Sequence, residues 1–219
     1  MREAYRYSQS SKFVMRSQLD CVDPRLPGTG VFDIKTRAAL PIRVDQLNYE
    51  ENSGYQIRHL TGARQSFEKE YYDLIRSAFL KYSLQVRIGN MDGVFVAYHN
   101  TARLFGFQYI PLDEMERCLY GAEGRGQLVF AHAVNTLELV LDEVVKVYPE
   151  QSVRILVETR DGEGRMRVWV QPDHWMGDEQ ARPIAELEVR AEGMIGGQVV
   201  PNNQLAINSC DHSPCKYAL

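Results

Sequence analysis

Hydrophobic and polar positions along the chain follow two rhythms, one of strands and one of helices. FVMRSQLD, residues 13–20, and VFDIKTRA, residues 31–38, both read as strands. Between them DPRLPGTG holds two Pro and two Gly, residues that set turns. Helical spacing follows. Behind Ser66, with Glu68 and Glu70 in the first turn, come Tyr71, Leu74, Ile75, Ala78, Phe79 and Tyr82 at intervals of three and four, predicting one helix over 66–85. GVFVAYHN, bounded by Asp92-Gly93, returns to strand. PLDEMERCLYG predicts a short helix with Pro111 at its start and Gly121 as its stop. Residues 126–148 predict a longer helix ended by Pro149. SVRILVETR and RMRVWVQP alternate around Asp161-Gly162-Glu163-Gly164 as a β-hairpin does, and IAELEVRAE and GGQVVPN read as further strands. SCDHSPCKYAL shows no periodicity and reads as a tail.

Alternation along VFDIKTRA places Asp33 and Lys35 on one face and Phe32, Ile34 and Thr36 on the other. Asp20 ends the preceding strand, so folding back across the Pro/Gly turn would bring it to Asp33 and Lys35. Two carboxylates beside an ammonium suit metal-dependent phosphodiester cleavage. The carboxylates are hard oxygen ligands for Mg²⁺ or Mn²⁺, the metal polarises phosphate and acidifies a bound water, and the lysine steadies developing charge. The same D-x-K alternation also describes an ordinary half-solvated strand; the full D-x₁₂-D-I-K-T string with its internal turn is what distinguishes it. Asp23 competes with Asp20 for the first acidic position, but Asp23-Pro24 reads as a turn opening.

Charge sharpens this picture. The net charge is −4 over 219 residues, yet residues 1–110 hold 15 Lys/Arg against 11 Asp/Glu, and residues 111–200 hold 9 against 17. A nucleic-acid backbone is therefore expected at the first half, where Arg16, Arg25, Arg37 and Arg43 flank the acidic motif. No run of eighteen apolar residues is present, and MREAYRYSQSSK lacks the apolar core of a signal peptide and the length of a transit peptide. Cys210, His212 and Cys215 form the one cysteine–histidine cluster, at a spacing that suits zinc poorly. His132 sits among apolar neighbours as a packed residue does. The aromatics of FVAYHNTARLFGFQYI (Phe95, Tyr98, Phe105, Phe107, Tyr109) fit either core burial or stacking on bases.

The string D-x₁₂-D-I-K-T resembles the PD-(D/E)XK nuclease superfamily, and within it the RecB-like branch, where DYKT stands for the DIKT here. KFVMRSQLDCVDPRLPGTGVFDIKTRA and SFEKEYYDLIRSAFLKYSLQVRIGNMDGVFVAYHNTARLFGFQYI together resemble a narrower group, the fungal mitochondrial Pet one-two-seven family, which is involved in RNA 5′-end trimming and degradation. The resemblance implies an α/β (α+β) fold, a restriction-endonuclease-like core of mixed sheet flanked by helices. The core's opening helix and first strand would be absent from this chain. Expected divisions are a nuclease-like core over 1–121, a C-terminal α/β extension over 122–205 packed on it, and a tail over 206–219. Asp20, Asp33 and Lys35 match the catalytic positions, Asp20 and Asp33 being the metal ligands. Arg16, Arg25 and Arg37 are the expected substrate-binding residues. The branch's Gln-x₃-Tyr is replaced at the expected place by Glu68-x₃-Tyr72. The implied activity is that of a Mg²⁺- (or Mn²⁺-) dependent 5′-to-3′ exoribonuclease in the mitochondrion, with little activity expected from this chain alone. The alternative is a non-catalytic RNA-binding or regulatory protein acting with mitochondrial RNA polymerase or membrane-associated complexes.

Overall fold

The computed structural model describes residues 4–195, 198–200 and 216–218. Cys210, His212 and Cys215 lie outside these, so the cysteine–histidine cluster carries no structural account. Contacts divide the chain into two compact units, residues 1–133 and 134–219.

The first unit is built on two sheets and a layer of helices. Strands β1 (Ala4–Gln9) and β2 (Val14–Leu19) pair antiparallel as a hairpin of their own. A second sheet has the order β3 (Cys21–Val22), β4 (Val31–Ala38), β5 (Gly93–His99) and β6 (Leu104–Pro111). β3 is antiparallel to β4, β4 parallel to β5, and β5 antiparallel to β6. The Pro/Gly turn joins β3 to β4. Gly28 and Gly30 both have φ above +70°, and Asp23 N–H donates to Gly30 O at 2.9 Å. An added Cβ at Gly28 would collide with the Asp92 carboxylate, so the turn needs glycine there.

After β4 come the short helices α1 (Leu40–Val44) and α2 (Tyr49–Asn52), which nothing in the hydrophobic spacing announces. The single helix expected over 66–85 is two, α3 (Phe67–Ser77) and α4 (Phe79–Gly89), broken at Ala78 with φ −137° and ψ −21°. The break leaves the buried stripe intact, because Leu74, Phe79 and Val86 all still face inward. Ser66 caps α3 by accepting from Lys69 N–H at 3.1 Å. α5 (Leu112–Tyr120) ends where expected, at left-handed Gly121. The core of this unit joins Leu74, Phe79 and Val86 to Val94, Val96 and Tyr98 of β5 and to Ile110 of β6.

Only one face of the four-stranded sheet is covered by that core. Asp33, Lys35 and Arg37 of β4 lie level with Val94, Val96 and Tyr98 of β5, on the helix side. Phe32, Phe95, Phe107 and Tyr109 lie on the other side, their ring centroids 5.6–6.1 Å apart around Phe95. On that side Phe107 is 61% exposed, and Ile34 is also exposed. The aromatics of the 95–109 segment therefore divide. Tyr98 is buried and Phe105 packs against the core, while Phe95, Phe107 and Tyr109 do not join it.

Helix α6 (Arg125–Val147) contains the boundary between the units. In the second unit β7 (Val153–Thr159), β8 (Arg165–Pro172) and β9 (Ala185–Ile195) form an antiparallel meander, and β10 (Gln198–Val200) and β11 (Lys216–Ala218) pair with β9. Val140 and Val144 of α6 pack with Val168, Val170 and Val189. The β7–β8 turn has Gly162 at φ +76°, as its sequence requires.

Candidate metal and nucleic-acid site

A cleft of about 770 Å³ opens between β2, β4 and α4. Asp20, Asp33 and Lys35 line it together, so the three residues singled out by spacing converge. Parallel pairing with β5 fixes the height of Asp33 and Lys35 in the sheet. Asp20 is held by Ile34 N–H, which donates to its Oδ2 at 3.0 Å.

The two carboxyl groups act on each other's ionisation. Asp33 is 2% exposed, and burial first, then the Asp20 carboxylate, pushes its pKa up to about 6. Asp20 is held below its ordinary value, chiefly by its interaction with Asp33. Lys35 pairs with Asp33 Oδ2, so the buried carboxylate faces an ammonium. On its other side the Lys35 ammonium sits 5.4 Å from the centre of the Tyr82 ring, which limits where it can swing.

A buried carboxylate beside a second carboxylate in one cleft suits a small hard cation. Among the described residues no group of three or more His, Cys, Asp or Glu is placed to hold a metal. A cation here would take two protein carboxylates and fill its shell with water and phosphate oxygens, which is how Mg²⁺ is commonly held. The donor set therefore fits Mg²⁺ or Mn²⁺.

Other expected residues are placed differently. Arg16 lines the cleft. Arg25 does not: it is spent in the β3–β4 turn, where its guanidinium donates to Asp23 at 2.6 Å. Asp23 thus belongs to the turn and Asp20 to the cleft. Arg37 is corrected as a surface ligand. It is 7% exposed beneath α3, 3.8 Å from Glu70 and bonded to Ser77, and burial lowers its pKa. Glu68 and Tyr72 do not line the cleft either. Glu68 accepts from Gly62 N–H at 2.6 Å, and Arg76 stacks on the Tyr72 ring at 3.4 Å. Lys81 and Gln85 of α4 do line it, and sequence reasoning did not single them out. Their signal was available: four apart, they are polar interruptions on one helix face beside Leu80, Leu84 and Ile88.

Fold and cleft thus define a mixed α/β protein with a carboxylate–lysine centre on its main sheet. A family profile described as "Mitochondrial protein Pet127" matches residues 1–142, and the chain belongs to that mitochondrial family. Over 161 residues it is 46% identical to the "mRNA degradation protein pet127, mitochondrial" of Schizosaccharomyces pombe, covering 74% of this chain and 31% of that protein. Over 123 residues it is 56% identical to PET127 of Saccharomyces cerevisiae, provisionally named a mitochondrial translation system component, covering 55% of this chain and 15% of that protein. The chain thus spans under a third of either relative's length. The family match at 1–142 contains every cleft residue.

Proposed function

We propose that this chain carries the centre of a metal-dependent ribonuclease of the PD-(D/E)XK type, acting in mitochondrial RNA degradation and processing as a 5′-to-3′ exonuclease. The observation that supports the chemistry is the meeting of Asp20, Asp33 and Lys35 in one cleft. RNA as substrate is supported by the name of the fission-yeast relative, and the direction of cutting by the sequence resemblance alone.

Asp20 and Asp33 would hold the Mg²⁺ or Mn²⁺ ion. When bound, the metal supplies a polarised phosphate and a water of lowered pKa. Lys35, braced between Asp33 and the Tyr82 ring, places a positive charge where the phosphate gains negative charge. Arg16 and Lys81 draw the phosphodiester backbone in. Gln85 offers an amide that can donate to a phosphate or sugar oxygen. Leu80, Leu84 and Ile88 form an apolar wall that limits water around the reacting group.

Decay of a 5′-labelled RNA in Mg²⁺, Mn²⁺ and EDTA tests this reading. Asp33→Asn and Lys35→Ala should each slow cleavage by at least about 100-fold. Only Asp33→Asn should also weaken Mn²⁺ binding measured by calorimetry. Decay that survives both substitutions places the activity elsewhere. RNA that is bound but left intact in both metals identifies a non-catalytic RNA-binding protein instead.

A further inference from the structure

The β1–β2 hairpin leaves two tyrosines at the surface. Cross-strand pairing sets Tyr5 opposite Gln18 and Tyr7 opposite Arg16, so these four share one face. The opposite face carries Ala4, Arg6, Ser8, Met15, Ser17 and Leu19. Ser17 is buried, Leu19 packs against the core, and Ser8 Oγ donates to Ile88 O of α4 at 3.4 Å, while Arg6 stays exposed. That side is partly covered, while on the other Tyr5 is 37% and Tyr7 64% exposed.

Arg16 and Gln18 of this outer face also line the cleft that holds Asp20, Asp33 and Lys35. Arg16 thus belongs both to the aromatic face and to the cleft. Its guanidinium carbon lies 4.7 Å from the centre of the Tyr5 ring, within cation–π range. No acidic residue stands on this face of either strand, and Lys81 adds a second cation at the cleft.

We propose that this hairpin face is a binding platform for single-stranded nucleic acid, with unpaired bases stacking on Tyr7 and Tyr5 and Arg16 taking the phosphate between platform and cleft. Exposed aromatics sorted with cations along one track are how proteins hold single strands without reading sequence. A duplex keeps its bases stacked inside and offers these rings nothing. The proposal rests on the nuclease reading for the identity of the cleft, but its test does not require cleavage.

Fluorescence anisotropy in EDTA, using a labelled single-stranded RNA, the same sequence as single-stranded DNA, and a blunt RNA duplex, measures it. Both single strands should bind at least tenfold more tightly than the duplex. Tyr7→Ala should weaken single-strand binding by about 5-fold or more, and Tyr7→Phe should restore it. Arg16→Ala should flatten the dependence of log affinity on log salt by about 0.7. Phe107→Ala, on the outer face of the main sheet, should change nothing. Equal binding of the duplex, indifference to Tyr7→Ala, or loss of binding with Phe107→Ala would each overturn the platform. An absence of RNA decay in Mg²⁺ would overturn the nuclease reading while leaving this result standing.

Discussion

Asp33 is the residue on which burial and proximity act against ionisation. Its carboxyl titrates near 6 in the folded protein, against an ordinary value of 3.8. Between those values the folded state binds more protons than the unfolded one, so this group's contribution to stability falls as pH rises from about 4 to about 6. Asp20, held low by the same contact, acts oppositely only below its ordinary value of 3.8. Asp33→Asn removes the slope. In EDTA at pH 7.5 the variant should melt on the order of 5 °C above the parent, with the two converging near pH 4. A lower melting temperature at pH 7.5 would show that the Lys35 contact outweighs the cost of burial. At this scale the sequence was informative for Asp20, Asp33 and Lys35, because the strand period fixes a face and the turn fixes a return. It was misleading for Arg37, since the same period that puts it beside Lys35 runs it under α3. Nothing in a sequence says where along a strand the covering helix begins.

At the scale of elements, α3 is fastened to the end of β4 by one buried acid. Glu70 is fully buried, accepts from Leu40 N–H at 2.9 Å, pairs with Arg43 and lies near Arg37. Glu70→Gln leaves two guanidinium groups short of a counter-charge and should cost roughly 3 kcal/mol, read as a lower urea midpoint with an unchanged slope. A change of a few tenths would mean that Asp73, which also pairs with Arg43, carries the junction. The helices α5 and α6 and the β7–β8 hairpin were legible from capping residues, Pro149 and the Asp-Gly turn. The break at Ala78 was not, because Leu74, Ala78, Phe79 and Tyr82 satisfy helical spacing whether or not the backbone is continuous. The strand β2 was read over 13–20, but its partner β1 was hidden, because tyrosine, arginine and serine alternate there without an apolar face. β6 escaped for a related reason, since its aromatics look alike in sequence and only the sheet sorts Phe107 from Ile110.

For the molecule as a whole, the open side of the main sheet governs behaviour in solution. Ile34, Leu104 and Phe107 are all exposed there, in line with the Phe32–Phe95–Tyr109 cluster. Such a surface favours self-association. Phe107→Ser with Ile34→Thr should lower the apparent mass seen by light scattering at high concentration and leave Mn²⁺ binding at the cleft unaltered. An unchanged mass would place the association surface elsewhere. No sequence pattern distinguished this side from the covered one, because parallel β4–β5 pairing calls for apolar residues on both. What was legible was that β4 divides into a charged and an apolar set; which of the two meets the helices required the fold.

That division within β4 bears on how the gene can change. Its eight residues carry the acid and the lysine on one side and Phe32 and Ile34 on the other. Loss of a single codon within the strand would shift every later side chain to the opposite side. Lys35 would leave the cleft, an isoleucine or threonine would enter it, and the apolar surface would acquire charge in the same event. Point substitutions can weaken this centre by degrees, whereas a one-codon deletion would remove it and disturb the sheet at once. The spacing from Asp33 to Lys35 is therefore inherited as a unit with the fold that displays it.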